Sequence, residues 1–491
     1  MKKSALPTIL LLSLCSTVSF AQDPGDSCTN LIVTRGASAT GSVNICYTCD
    51  APFASQLMLI EAADHEPGSI ADLADSRGNV SVAQIPHTFA VLASNGIGHI
   101  NEYQLSIGET TFGGRSGLSN ENGLHYADLM TLALQRSRTA REAIETIGQL
   151  ANEYGYRSPG ESISIGDKNE AWLLEIIGTG HDRTGAVWVA VRIPDGHVSC
   201  HANQSRIGEF PLNDPENCLY SRDVISFARE MGFSSDEDGP FNFSNAYDPA
   251  SERKKKTCAM RVWSILRRAA PSLDLSPDYA RGVENARRYP LSVRPDAGLD
   301  TRAVFGLLRD HYEGTDFDMT TGENAGAFGS PNQRRSERGI STPITSFSIV
   351  TQSRSHLPDP VGGVLWYSPD DTYFSCYAPF YCGIDRVPEA YARADREKFS
   401  WDSAWWTINF VANFADLHYD RMKTDIQAEQ SAIEEGFIGI QSAVETTAVH
   451  MLESDPDIAC RYLTEYSISC GETVLKRWHQ LAERLISRYI R

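Results

Sequence analysis

The segment CTNLIVTRGASATGS, Cys28–Ser42, is the most informative part of this sequence for predicting its fold. Its Leu31–Thr34 segment is apolar and rich in β-branched side chains, which favours a β-strand directly after Cys28. Gly36 and Gly41 are typical of the turn that ends such a strand. Because backbone pairing would hold the first residues of this strand, we expect Cys28 to have a fixed position.

The residues ahead of this stretch have the features of a secretory leader. Residues 1–21 combine two lysines with a short apolar run and small residues at the cleavage positions, which predicts a signal peptide. The apolar run is too short to span a membrane comfortably. We therefore expect residues 22–27 to be a short pro-segment, and the protein to be extracytoplasmic, either periplasmic or secreted.

Composition excludes several classes of partner. The formal net charge is −19, and so acidic a surface repels nucleic acid and anionic membranes. No later apolar stretch predicts a membrane span, so we expect no membrane insertion once the leader is removed. A hydrophobic fraction of 41% supports a packed core, and 491 residues suffice for one large domain or for two or three ordinary ones.

Local patterns downstream predict a layered α+β protein. Thr139 and Glu142 form the reciprocal cap of a predicted helix that ends at Gly155. The segment Val187–Val191 is apolar at every position, which indicates a strand buried on both faces. Further predicted strands cover 89–93, 105–107, 162–165, 171–177 and 187–193.

The remainder of the chain divides into loops and a helical end. Residues 234–256 and 322–339 are polar, charged or glycine-rich, and they predict surface loops. Helical periodicity from 421 to 491 predicts a C-terminal helical extension.

The eleven cysteines invite two structural hypotheses. Cys460 with Cys470, and Cys376 with Cys382, are spaced as local disulfides of an oxidising compartment. The C-x-x-C at Cys46–Cys49 matches a redox motif, but its surroundings do not resemble a thioredoxin unit. There is no second C-x-x-C and no His pair at ligand spacing, so we expect no metal and no cofactor.

A cysteine at the start of a processed chain would carry a nucleophile and a base in one residue. The α-amine, with a pKa of about 7.7 to 8.0, accepts the proton of a thiol whose pKa is about 8.5. The peptide bond before Cys28 must first be cut, and attack by Cys28 on its own preceding carbonyl would achieve this. Alternatively, Cys28 only pairs or packs near the start of the mature chain.

The surrounding residues add a family resemblance. The Cys28–Ser42 stretch resembles the mature start of the cysteine-type N-terminal-nucleophile (Ntn) hydrolase dipeptidases, a bacterial family distantly related to penicillin V acylase and bile-salt hydrolase. The resemblance covers most of residues 28–420. It continues through NEYQLSIGETTFGGR, HANQSRIGEFPLNDPENC, SHLPDPVGGVLWYSPDD and FSWDSAWWTINFVANFADLHY.

This resemblance implies a fold and an activity. The fold is a four-layer αββα Ntn-hydrolase sandwich over residues 28–420, followed by the helical extension over 421–491. The activity is hydrolysis of the amide bond of dipeptides by a secreted thiol protease. A homo-oligomer is compatible with the sequence.

The resemblance also assigns roles to four residues. Cys28 is the nucleophile, and Asp50 contacts the new amino terminus, unless it is an ordinary turn residue. Asn203 is a candidate oxyanion donor, with a loop-capping role as the alternative. Glu109 binds a substrate amine or is a solvated acid at a strand end. Many relatives carry an arginine shortly before the Asp50 position, whereas Tyr47 stands in that stretch here and could contact the site instead.

Three competing hypotheses remain at this stage. A Cys–His protease is disfavoured because the candidate histidines are scattered, at His99, His125, His201 and His356. An Ntn acylase would keep the mechanism but act on non-peptide amides. A catalytically inactive secreted binding protein would keep residues 22–27 attached.

Overall fold

The computed structural model describes residues 28–333 and 337–489. The predicted signal peptide, 1–21, and the predicted pro-segment, 22–27, lie outside the described residues. Within the described ranges most of the strands come early in the chain, and the two longest helices come last, as in an α+β protein.

Most of the strands occur before residue 221. In chain order they are β1 (Thr29–Val33), β2 (Asn44–Asp50), β3 (Leu57–Ile60), β4 (Ala63–Asp64), β5 (His87–Thr88), β6 (Val91–Ser94), β7 (Ile97–Asn101), β8 (Ser106–Gly113), β9 (Gly160–Gly166), β10 (Ala171–Gly178), β11 (Ala186–Ile193), β12 (Val198–His201), β13 (Cys218–Tyr220), β14 (Ser292–Val293), β15 (Thr345–Gln352), β16 (Val364–Pro369) and β17 (Ala378–Tyr381).

The helices lie between and after these strands. They are α1 (Tyr126–Arg136), α2 (Ala140–Tyr154), α3 (Val224–Glu230), α4 (Phe243–Tyr247), α5 (Glu252–Lys254), α6 (Met260–Ala269), α7 (Thr301–Leu308), α8 (Asp359–Gly362), α9 (Glu389–Ala392), α10 (Ala404–Ala415), α11 (Tyr419–Ser454) and α12 (Pro456–Tyr489). A π-helical segment, Lys255–Ala259, joins α5 to α6.

Two antiparallel sheets form the centre of the molecule. The first has the strand order β14-β12-β1-β2-β15-β16-β17, and the second β13-β11-β10-β9-β8-β7-β6-β3. Strand β1 pairs with β2 on one side and with β12 on the other. The strand that follows Cys28 is therefore central, which fixes its first residues from both sides.

Helices cover the outer face of each sheet. Between the sheets, Ile32 and Ile45 of the first pack with Leu173 and Val189 of the second. Helices α1 and α2 pack on the outer face of the second sheet, whereas α6, α7, α10, α11 and α12 cover the first. The predicted αββα order of layers and the α+β class are confirmed.

Local sequence signals account for several elements. Thr139 and Glu142 form the capping box of α2, as predicted, and Gly155 follows its last residue with φ 85°. The apolar strand predicted at Val187–Val191 lies within β11 and is buried. The interpretation of 234–256 as a solvated loop is wrong in part, because α4 forms there and buries Phe243.

The two predicted disulfides are wrong. Cys460 and Cys470 lie ten residues apart in α12, which separates them by about 15 Å along one helix. Cys376 and Cys382 flank the extended strand β17, and all four thiols are free. The Cys46–Cys49 pair is also free. Positions three apart in β2 point to opposite faces of the sheet, so this spacing does not bring the two thiols together.

The last two helices form a hairpin that belongs to the main core. Helices α11 and α12 pack on each other and on β17, and their apolar side chains join the cluster around the first sheet. Arg309 donates to Glu434 of α11 at 2.6 Å, and Arg354 pairs with Glu445 of the same helix. The domain boundary at residue 420 stays a prediction.

Candidate active site

Cys28 lies at the entrance of β1, opposite Cys49 of β2. The register pairs Thr29 with Thr48, and the Thr29 amide donates to Thr48 Oγ1 at 3.1 Å. Cys28 has φ 43°, in the left-handed region that few non-glycine residues adopt. Its side chain is buried. The start of the strand thus turns the thiol into the protein interior.

The thiol of Cys28 begins a chain of hydrogen bonds. The Tyr47 hydroxyl donates its proton to Glu109 Oε1 at 2.6 Å, so Cys28 Sγ, at 3.4 Å from the Tyr47 oxygen, donates to that oxygen. The pKa of Cys28 is raised well above its ordinary value by its hydrogen bond with Cys49, by burial and by the charge of Glu109. The thiol form is therefore favoured while Cys28 remains linked to residue 27.

Asp50 is the last residue of β2 and is fully buried. Thr345 Oγ1 donates to Asp50 Oδ1 at 2.6 Å, and the guanidinium of Arg338 pairs with Oδ2. Asp50 lies two residues after Thr48, which pairs in register with Thr29, and its charge also contributes to the raised pKa of Cys28. Asp50 is therefore an interior residue beside Cys28 and not a surface turn residue.

Arg261 joins Cys28 to Asn203. Its Nη1 donates to the Cys28 carbonyl oxygen at 2.6 Å, and its Nη2 donates to Asn203 Oδ1 at 3.0 Å. Because Oδ1 faces the guanidinium, the Asn203 amide nitrogen faces the other way and donates to the Thr111 carbonyl at 2.9 Å. One of its two amide protons remains for a further acceptor.

A buried carboxylate holds the segment that carries Asn203. Glu175 of β10 accepts from the Ser205 hydroxyl at 2.5 Å, from the Ile207 amide at 3.2 Å and from the Ser162 hydroxyl at 3.0 Å. Asn203 itself has φ 54°. These bonds hold the segment after Asn203 in one conformation, and with it the left-handed backbone of Asn203.

Glu109 and Glu161 form a carboxyl pair within the sheet. Glu109 pairs in register with Ile163, and Glu161 lies two residues before it, so the two acids are diagonal neighbours on one face of β8 and β9. Burial raises the pKa of each, and Oε2 of each has no hydrogen-bond partner among the described residues. Glu109 is thus an interior residue and not a solvated strand-end acid.

Tyr126, the first residue of α1, completes this polar cluster. It is partly exposed, whereas both acids are buried. Its pKa is raised well above the ordinary value by burial and by the charges of Glu109 and Glu161.

The candidate histidines have other surroundings. His201 binds the hydroxyls of Thr110 and Ser164 at 2.7 Å each, and burial lowers its pKa to about 3. His99 packs against the ring of Tyr47, and burial lowers its pKa to about 4. His125 caps α1, and His356 is exposed. The described contacts of Cys28 include no histidine.

In residues 28–333 and 337–489 no three His, Cys, Asp or Glu side chains are grouped to hold a metal ion. Within the same ranges no helix is both long enough and apolar enough to cross a membrane.

Sequence reasoning missed three residues of this cluster. Arg261 follows the charged run that predicted a solvated loop, and no local signal distinguishes it from its neighbours. Glu161 lies 52 residues after Glu109, so only the pairing of β8 with β9 shows that they meet. The sequence distinguishes Cys49 only as the second cysteine of a C-x-x-C spacing. The suggestion that Tyr47 contacts the site is confirmed by its hydrogen bond with Cys28.

Comparison with known proteins agrees with this architecture. The model of peptidase family C69 matches residues 27–432. A probable dipeptidase of Latilactobacillus sakei is 27% identical over 365 residues, which is 70% of this chain and 72% of the relative. Probable dipeptidase A of Streptococcus pyogenes serotype M3 (strain SSI-1) is 25% identical over 423 residues, covering 82% and 85%. Probable dipeptidase B of S. pyogenes serotype M1 is 24% identical over 370 residues, covering 74% and 71%.

The sandwich fold, the interior cysteine and these relatives define a cysteine-type peptide hydrolase. The chain belongs to peptidase family C69, a family of cysteine-type Ntn dipeptidases.

Proposed function

We propose that this protein is a secreted dipeptidase whose nucleophile, Cys28, becomes the amino-terminal residue after residues 1–27 are removed. The observation that carries this proposal is the position of Cys28 at the start of a central strand, with Asp50 and Asn203 both linked to its surroundings. The family match also begins one residue before Cys28.

Removal of residue 27 would change the protonation state that the surroundings of Cys28 favour, from the thiol to the thiolate. In the unprocessed chain the Cys28 nitrogen is an amide, and nearby carboxylates disfavour a thiolate. A free α-amine adds a base that takes the thiol proton, and the resulting ammonium stabilises the thiolate. Asp50, which accepts a hydrogen bond from Thr345, is the residue that we assign to orient that amine.

The remaining groups act in the successive steps of acyl transfer. Cys28 Sγ attacks the dipeptide carbonyl, and the Asn203 amide donates to the oxyanion that forms, a contribution of about 2.7 to 4 kcal/mol in comparable enzymes. The α-ammonium returns the proton to the leaving amine, and water then hydrolyses the thioester. Arg261 holds the Cys28 carbonyl and orients Asn203, so it is a positioning residue. Glu109 is the substrate-binding residue.

The first steps of maturation are part of the same proposal. A signal peptidase removes residues 1–21, and Cys28 then cleaves the bond after Ser27 by attacking the carbonyl of that residue. This order places the mature enzyme outside the cytoplasm.

Determination of the mature amino terminus tests the proposal. The active protein, isolated from the producing cell, is analysed by Edman sequencing and intact mass. We expect Cys28 at position one and hydrolysis of unmodified dipeptides. An active protein that retains residues 22–27 would overturn the mechanism. Cleavage of N-acyl amides in place of dipeptides would favour the acylase alternative, whereas an unprocessed and inactive protein would favour the binding-protein alternative.

A further inference from the structure

The side chains of Cys28 and Cys49 lie on the same face of the first sheet. Thr29 of β1 pairs with Thr48 of β2, and because the two strands are antiparallel, the next pair is Cys28 with Cys49. Side chains alternate between faces along a strand, so Cys49 shares its face with Tyr47, whose hydroxyl oxygen lies 3.4 Å from Cys28 Sγ. The two thiols therefore point to the same side of the sheet.

The separation of these two positions suits a disulfide. Directly opposed residues of an antiparallel pair have Cα atoms about 4.5 to 5.5 Å apart. A disulfide accepts Cα separations of about 4.4 to 6.8 Å. The hydrogen bond with Cys49 is also the largest cause of the raised pKa of the Cys28 thiol, and both thiols are free. The backbone thus places the two cysteines at a distance that a disulfide can span.

The other cysteines of β2 and β12 face away from Cys28. Leu31 of β1 pairs with Cys46 on one side and with Cys200 on the other, so these two cysteines share the face of Leu31. Leu31 follows Cys28 by three positions and lies on the opposite face of the sheet. Among the cysteines of β2 and β12, Cys49 is therefore the one that meets the nucleophile.

We propose that Cys49 is a resolving cysteine, which forms a disulfide with the nucleophile after a hydroperoxide has oxidised Cys28. This inference rests on the proposed function, because that function requires the Cys28 thiol to be reachable. A route that brings the carbonyl of a dipeptide to Cys28 Sγ also admits hydrogen peroxide, which is smaller. The redox partner of Cys49 is then Cys28 and not Cys46, although the C-x-x-C spacing links Cys46 to Cys49.

Two steps account for the atoms and electrons. The Cys28 thiolate attacks one oxygen of hydrogen peroxide, the O–O bond breaks, and the departing hydroxide takes the proton that the α-amine received from the thiol. The products are a sulfenic acid and one water. The Cys49 sulfur then attacks the Cys28 sulfur, the S–O bond breaks, and the departing hydroxide takes the Cys49 proton to form a second water. The two electrons that the thiols lose are the two that the peroxide gains.

The charges around Cys28 favour this product over further oxidation. A sulfinic acid is ionised at neutral pH, so it would add a negative charge near Glu109 and Asp50, whose charges already disfavour a thiolate. The disulfide is neutral, and reduction returns it to two thiols, whereas a sulfinic acid is not recovered in this way. Cys49 would therefore inactivate the enzyme reversibly and protect its nucleophile from permanent oxidation.

The test treats the processed full-length enzyme with hydrogen peroxide and then with dithiothreitol. After peroxide we expect loss of alanyl-alanine hydrolysis and a mass about 2 Da lower, and after dithiothreitol the return of most of the initial activity. Trypsin cleaves after Arg35 and chymotrypsin after Tyr47, so digestion places Cys28, Cys46 and Cys49 in separate peptides. We expect mass spectrometry to find the Cys28 peptide linked to the Cys49 peptide.

The outcomes separate this inference from the proposed function. Three results would overturn the inference in an enzyme that hydrolyses dipeptides: a disulfide from Cys28 to another cysteine, a gain of about 32 Da without a disulfide, or an unchanged mass and activity. Failure to hydrolyse dipeptides before the peroxide is added would instead overturn the proposed function. The mass and the peptide map would still test the disulfide in that case.

Substitution isolates the contribution of Cys49. Cys49→Ser is matched with Cys46→Ser, which removes a thiol from the opposite face of the same strand. In Cys49→Ser we expect the same peroxide treatment to add about 32 Da, and dithiothreitol to restore less than about a tenth of that variant's own initial activity. In Cys46→Ser we expect the wild-type pattern. Full recovery by Cys49→Ser would contradict the resolving role, and the wild-type peptide map remains decisive if a variant does not fold.

Discussion

Arg261 Nη1 lies 2.6 Å from the carbonyl oxygen of Cys28, although 233 residues separate them in the chain. The same guanidinium fixes Asn203 through its second nitrogen. The nucleophile and the proposed oxyanion donor therefore share one rigid support. Because a fork of N–H groups reaches both acceptors, displacement of either group disturbs the other.

Replacement of Arg261 tests this support. In Arg261→Lys a single ammonium cannot make both contacts, so we expect kcat for a dipeptide to fall by about 100-fold with a smaller change in KM. We expect the free energy of unfolding to fall by about 1 to 3 kcal/mol because a buried acceptor is left unpaired. Arg302→Lys, at a side chain that is 65% exposed, is the control. Unchanged kcat would contradict the positioning role.

Replacement of the nucleophile separates maturation from folding. We expect Cys28→Ala to retain residues 22–27, to lose all dipeptidase activity and to unfold at nearly the wild-type temperature. Intact mass, a dipeptide assay and calorimetry measure these three properties. Cys460→Ser, at a partly exposed thiol of α12, should be processed and active. Full turnover by Cys28→Ala would exclude the mechanism.

The pH dependence of activity reports on Tyr47. Its hydrogen bond lowers the pKa of Glu109, so Tyr47→Phe should raise that pKa further above the ordinary value. Glu109 would then lose its charge at a higher pH, and the acid limb of the kcat/KM profile should move upward in pH. We also expect about a 10-fold lower kcat/KM at neutral pH. Tyr377→Phe, which removes a buried hydroxyl bonded to Ser348, should leave the acid limb in place.

Acid stability provides a test that does not depend on catalysis. His201 remains neutral in the folded protein down to about pH 3, whereas an unfolded His binds a proton near pH 6.5. Falling pH therefore favours the unfolded state through this residue. We expect the stability cost of His201→Asn to shrink by about 1.4 kcal/mol per pH unit below 6.5, because other groups cancel in the difference. Urea unfolding at pH 7, 6 and 5 measures it, and a constant difference would contradict the neutral state.

The layers of the fold could be predicted because their signals are local. The reciprocal cap at Thr139 and the wholly apolar segment at Val187–Val191 each identify an element without reference to distant residues. Predictions that needed distances between elements were less successful. The pairing of Cys460 with Cys470 failed because spacing along the chain does not show that both lie on one helix.

Much of the candidate site could not be predicted for the same reason. Cys28 is conspicuous in the sequence because a strand pattern follows it directly. Arg261 and Glu161 acquire their positions only through the π-helical segment before α6 and through the register of β8 with β9. The sequence around Arg261 is a charged stretch and that around Glu161 is a strand, and neither pattern predicts which residues the two side chains contact.

The hairpin of α11 and α12 makes the catalytic part of the chain dependent on its far end. Arg309 and Arg354 lie in the interior and take their carboxylate partners from α11. A chain that ends at residue 420 would leave the guanidinium groups of Arg309 and Arg354 without these carboxylate partners. It would also expose the side of β17 on which the two helices pack. The terminal helices therefore support the first sheet, and we expect a chain that ends at residue 420 to be less stable than the full chain.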